Sequence, residues 1–166
     1  MSGASADILS AIQSIWNSSG ISSQFTAYWS AANIAEYVVL CGDQAEGAHP
    51  FPYCVFEMQE SKVVSRMTTG TSTKREIRHT SCKFTVYARD VGDADSPKEI
   101  AANLILEITK VFGGHHTEAN QIDGHAMSNG HILKSQYQND LAIMEDVEVY
   151  KWVVRYSIES DVVVKA

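Results

Sequence analysis

Between Ser81 and Gly114 the spacing of apolar residues changes once, and that change narrows what the chain can fold into. Cys82, Phe84, Val86 and Ala88 alternate with Lys83, Thr85, Tyr87 and Arg89, the pattern of a strand with one buried face. Ile100, Ala101, Leu104, Ile105, Ile108, Val111 and Phe112 then recur every three or four residues, which lays one apolar stripe along a helix. Ser96 suits the cap, Pro97 the first helical position, and Glu99 the reciprocal arm of a capping box. Asp93 and Asp95 add negative charge near the positive helix end. Gly113-Gly114 supplies a residue that takes the left-handed conformation cheaply and ends the helix. A strand feeding a capped helix through a short acidic loop is the organising unit.

The remaining segments arrange themselves around it. A first helix opens near Ser5 with Ile8, Leu9, Ile12, Ile15 and Trp16 on one face, and Ser18-Ser19-Gly20 closes it. Residues 21–49 have no deciding period: Phe25, Tyr28 and Trp29 are apolar, and 31–40 suits a helix or the entry to a strand. Residues 53–59 alternate as a strand, 61–68 form another strand or its continuation, and 69–73 make a turn without apolar residues before 74–89 returns. The outer half of that hairpin, 66–80, has only Met67 and Ile77 as large apolar side chains, so it is either a mobile loop or an arm that reaches a partner. Residues 113–130 read as a histidine-rich loop. Residues 131–144 and 147–164 read as long strands around an acidic turn at Glu145-Asp146. The order helix, three strands, helix, two strands predicts an α+β fold, an antiparallel sheet with two helices packed on one face plus an extended β-hairpin arm over about 61–90. A single domain covers 1–166.

Composition removes several functions. A net charge of -7 argues against a tight sequence-independent DNA or RNA binder, whose affinity comes from clustered lysine and arginine. No apolar run is long enough to span a membrane, and MSGASADILS lacks the basic and apolar regions of a secretory signal. Cys41, Cys54 and Cys82 form no C-x-x-C pair and are expected to be small buried hydrophobes in a reducing compartment. His115, His116, His125 and His131 cluster with Glu118 and Asp123, but their spacing matches no metal-binding helix, and a solvated loop explains them better. Phosphate-binding, dinucleotide-binding and nucleophile-elbow motifs are absent. Asp93-Ala94-Asp95 reads as a solvated loop before a helix rather than a catalytic carboxylate pair, and Asp140, Glu145, Asp146 and Glu148 as an exposed turn.

Three further segments carry a resemblance. Pro52-Tyr53-Cys54-Val55-Phe56 follows a variable loop; Phe84-Thr85-Val86-Tyr87-Ala88 leads into the helix from Ser96 to Phe112; Asp140-Leu141 precedes the closing strand Val149-Tyr150-Lys151-Trp152-Val153-Val154-Arg155-Tyr156-Ser157. In that order and spacing, and with the first helix, they resemble the tail-completion (tail-terminator) proteins of long-tailed bacteriophages over most of the chain. The resemblance implies a structural virion protein of the tail or neck, assembled in the host cytoplasm. Such a protein forms a ring, usually of six copies, on the head-proximal end of the tail tube. The ring ends tube polymerisation and docks the head connector and stopper proteins, while double-stranded DNA passes through its lumen. It implies no catalytic residue, cofactor, metal or membrane partner. A ring built head-to-tail needs two complementary patches per subunit. The expected ones are the hairpin tip (Arg66, Thr68, Thr69, Thr71, Thr73, Lys74, Arg75) and the acidic turn with its sheet edge (Asp140, Glu145, Asp146, Glu148). Other readings stay open: another neck or head-completion protein of related fold, a monomeric binding module, and a metal-binding protein or enzyme built on the histidine loop.

Overall fold

In a computed structural model, residues 3–31, 39–41, 50–69, 73–114, 121–144 and 148–165 are described. The elements run α1 (Gly3–Ser18), α2 (Ile21–Ala31), β1 (Leu40–Cys41), β2 (Tyr53–Thr69), β3 (Thr73–Arg89), α3 (Pro97–Phe112), β4 (Ala126–Met127), β5 (Gly130–Met144) and β6 (Val149–Lys165). The strands form one sheet in the order β1-β2-β3-β6-β5-β4, antiparallel except where the two-residue β1 joins β2. The fold is α+β, as the sequence implies.

Local chemistry accounts for the helix ends. Ser96 Oγ accepts from the Glu99 amide at 3.3 Å while the Glu99 carboxylate accepts from the Ser96 amide at 2.7 Å, closing the capping box at the start of α3. Those bonds from Ser96 hold the Glu99 carboxyl below its usual range. Gly20, at φ 79°, ends α1, and α2 begins at the next residue. Trp16 Nε1 donates to Ser22 Oγ at 2.9 Å across that break. Ile21, Phe25 and Trp29, four residues apart, are buried along α2, and Trp29 Nε1 donates to the Pro52 carbonyl at 2.8 Å.

One face of the sheet holds the core. Cys54 and Phe56 of β2, Cys82, Phe84, Val86 and Ala88 of β3, and Val154, Tyr156 and Ile158 of β6 belong to one buried cluster. The same cluster takes in Ile8, Ile12 and Trp16 of α1, Phe25 and Trp29 of α2, and Ile100, Leu104, Ile108 and Phe112 of α3. Phe84 lies at its centre, with ring centroids of Phe112 at 4.6 Å, Phe56 at 5.0 Å, and Trp16 and Tyr156 at 5.9 Å. The Tyr156 hydroxyl donates to the Gly113 carbonyl at 2.5 Å, fixing the end of α3 to β6.

Two expectations change and one open alternative is decided. Three helices, not two, contribute to the core, because 21–31 is a helix in its own right. Residues 53–59 and 61–68 form one continuous strand, broken only by bulges between Met58 and Glu60 and between Val63 and Ser65. The hairpin is also no free two-stranded arm. β6 pairs with β3 along its whole length, from Arg89↔Val149 to Thr73↔Lys165, so the outer part of the hairpin is the margin of a wider sheet.

Candidate functional site

The hairpin tip is a web of ion pairs. Arg66, whose side chain is 76% exposed, lies 3.4 Å from Glu76, and Glu76 also pairs with Arg78 at 3.0 Å. Arg75 forks onto Asp161 of β6 at 3.2 and 2.5 Å, a two-pronged geometry that aligns the neighbouring strands. Lys74 is exposed. Thr68, Thr69 and Thr73 enter through their backbones, in the pairs Thr68↔Lys74 and Thr69↔Thr73, and Thr71 lies outside the described residues.

The second predicted patch is built differently from the expected turn. Asp140 is not a turn residue: it stands within β5, paired with Val154, because the alternation of the strand carries through it. Its carboxylate accepts from Trp152 Nε1 at 3.0 Å and from the Tyr137 hydroxyl. Burial, with that carboxylate adding to it, pushes the Tyr137 phenol up to about 12. Glu148 is exposed just ahead of β6; Glu145 and Asp146 lie outside the described residues. The structure therefore does not bring the two patches together. Arg75 sits opposite Val163 and Asp140 opposite Val154 on the same strand β6. At about 3.4 Å per residue that is about 30 Å, and about 50 Å to Glu148.

Both sides of the sheet are open among the described residues. β1 covers only Cys54 and Val55 of β2, and β4 covers only Gly130 and His131 of β5. The rest of β5 is a long margin strand with most of its side chains exposed, including Leu141 at 52%, Leu133 at 42% and Ile143 at 39%. Val64 and Met67, on the opposite margin strand β2, are 53% and 49% exposed. Large apolar side chains along an unpaired strand margin mark a surface made to be covered. These residues were missing from the sequence candidates. Their signal was present in the alternation of 139–143, but reading it requires knowing that β5 is a margin strand.

Other sequence candidates resolve into structural parts. His125 is half-buried and shares backbone bonds with Ile122 and Ile132; His131 is exposed; His115, His116 and Glu118 lie outside the described residues. Asp123 accepts from the Ser135 amide at 2.8 Å, securing the turn to β5. No group of three or more histidine, cysteine, aspartate or glutamate side chains among the described residues could hold a metal ion. Asp95 is more than a solvated loop residue: it accepts from the Tyr28 hydroxyl at 2.9 Å and from Asn103 at 3.3 Å, joining α2 to α3. Cys54 and Cys82 are buried thiols outside any disulfide, and burial pushes the Cys82 thiol up to about 12, away from the thiolate a nucleophile needs. No described helix is long and apolar enough to cross a membrane.

No protein-family model matches the chain, nor does any curated protein sequence. Among solved structures, the chain is similar to a component of the virion of a native gene transfer agent particle. The two share 12% identity with a TM-score of 0.41, over 85% of this chain and 91% of that one.

Proposed function

We propose that the chain is a structural virion protein that caps the head-proximal end of a phage tail tube as a ring, its work done by surfaces and not by a reaction centre. The observation that carries this reading is the pair of open margins, β2 on one side of the sheet and the exposed β5 on the other. β2 and β5 run in opposite directions, since each step β2-β3-β6-β5 reverses the chain. Placing the β5 margin of one copy beside the β2 margin of the next therefore gives antiparallel neighbours. Repeating the step is a head-to-tail association, which closes into a ring when the rotation closes. The resemblance to tail-terminator proteins suggests six copies.

In this reading the two ends of the sheet face different partners. The tip with Arg66, Lys74 and Arg75 meets one neighbour along the tail axis, and the Asp140–Glu148 end meets another, the tail tube protein and the head connector or stopper proteins being the two. No catalytic residue, cofactor or metal enters. The test is Leu141→Lys with Ile143→Lys, both at exposed positions where the fold has little to lose. Melting should be unchanged, while rings at tube ends disappear and tubes imaged by electron microscopy grow beyond their normal length. Deleting 69–73 should likewise spare the fold and block joining. Normal capping by both variants would overturn the proposal.

A further inference from the structure

The two open margins match in length and in irregularity. β1 lies against β2 only at Cys54 and Val55, and β4 against β5 only at Gly130 and His131. Among the described residues no further strand runs along 56–69 of β2 or 132–144 of β5, stretches equal to within one residue. The margins also carry every bulge among the four long strands. Gln59 and Val64 are the extra residues of β2, and Leu133 and Gln138 those of β5, while β3 and β6 pair without interruption. On each margin the two bulges stand the same number of residues apart.

A bulge reverses the facing of the residues after it, so it restricts how two margins can zip together. Setting Thr69 of one copy opposite Ile132 of the next, and Glu57 opposite Met144, uses nearly all of both open stretches. Faces then agree over 60–67 against 134–141, because Val64 falls beside Gln138 and the two bulges cancel. On the helix-free face Lys62 meets Asn139 and Ser65 meets Gln136; on the helix side Ser61 meets Asp140. No charge faces a like charge in this register. It also covers Val64, Met67, Leu133 and Leu141, all large apolar side chains left exposed in one copy. Continuing each row straight across instead would put Lys62 opposite Lys134, and like charges directly opposed are destabilising. It would also drive β1, outside Cys54 and Val55, into Leu141 and Ala142 of the neighbour. The favoured register is displaced from the straight one by about 17 Å along the strands, for each copy's four long strands about 19 Å wide. That inclines the strands by about 40° to the axis of a closed sheet, whatever the number of copies, and closed sheets tilt by about 35–45°.

We propose that β5 of one copy adds to β2 of a second copy as an antiparallel strand in this staggered register, with 60–67 against 134–141. The proposal rests on the ring reading and deepens it, naming the seam and its residues. Arg66 is taken into the seam, and Lys74 and Arg75 are left for the partner along the tail axis.

Cysteine pairs read the register directly. Opposed residues of antiparallel strands have Cα atoms about 4.5–5.5 Å apart, within disulfide reach. Within one copy β2 and β5 are three strand spacings apart, about 14 Å, so no internal disulfide competes. Ser65→Cys with Gln136→Cys, and Lys62→Cys with Asn139→Cys, should oxidise into covalent ladders on a non-reducing gel when the chain is incubated with tail tubes. Ser65→Cys with His131→Cys, and Lys62→Cys with Lys134→Cys, face one another in the straight register and should stay mostly as single chains. All six positions are exposed, so the fold loses little, and the single variants account for the native cysteines. Ladders from the second pairs, from all four pairs equally, or from none overturn the proposal. Electron microscopy of the same samples separates it from the ring reading. Rings without staggered cross-links sink the register alone, and staggered cross-links in open chains that never close support the seam and sink the ring.

Discussion

Replacing Phe84 by alanine should bring the protein to the edge of unfolding. The ring is fully buried and touches the rings of Trp16, Phe56, Phe112 and Tyr156, one each from α1, β2, α3 and β6. Truncating a core phenylalanine costs about 3–5 kcal/mol, and the lower figures belong to sites that can collapse into the void. Here collapse would require four elements to move together, so the upper end, about 5 kcal/mol, is expected. Each ring pair in isolation contributes about 0.5–1.5 kcal/mol, but the four share one ring and their sum overstates the loss. Against a typical stability of about 5–15 kcal/mol, that leaves little. With a slope of about 2 kcal/mol per M, the urea midpoint should fall by about 2.5 M at unchanged slope. Phe84→Leu keeps most of the volume and should cost under about 1.5 kcal/mol. A loss below about 2 kcal/mol for the alanine variant, or equal losses for both, would refute the claim that this residue joins four elements into one core.

Gly130→Ala should weaken the start of β5. A β-carbon there would lie 1.8 Å from the Asp161 carbonyl oxygen, so backbone must move, at about 3 kcal/mol judged from other overpacked sites; a melting curve matching the wild type would show that the strands do not meet so closely. Tyr137 gives a pH signature. Its phenol is raised from an ordinary 10.0 to about 12, so the folded state favours the neutral form. The stability it contributes is complete below pH 10 and lost as pH climbs through about 12. Tyr137→Phe has no such proton, and the difference between the two stability curves should change across that window; parallel curves would dismiss the coupling.

Much of the architecture could be read from spacing alone, for stated reasons. α1 and α3 carry long single stripes bounded by recognisable ends, and β3 and β6 alternate cleanly because one face of each is core. α2 escaped because it is short, serine-rich, and separated from α1 by two residues, although Ile21, Phe25 and Trp29 already stood one turn apart. The bulges in β2 and β5 also escaped, since each reverses the facing of all later side chains without any local mark. Asp140 was misplaced for a related reason: an aspartate beside an acidic segment looks like a turn until a tryptophan and a tyrosine from neighbouring positions are seen to hold it. Of the predicted interface, Arg66 and Lys74 are exposed while Arg75 is half-buried against Asp161, and the apolar margin of β5 depends on strand order, which no local pattern encodes.

The complete pairing of β3 with β6 has a mechanical consequence. A pull on the hairpin tip along the strand direction loads the whole ladder of cross-strand bonds in shear, and none can be peeled before the others bear force. The tip is thereby coupled stiffly to the core around Phe84 and Tyr156, so tension or compression applied at one end of the subunit is delivered to the other without an intervening hinge.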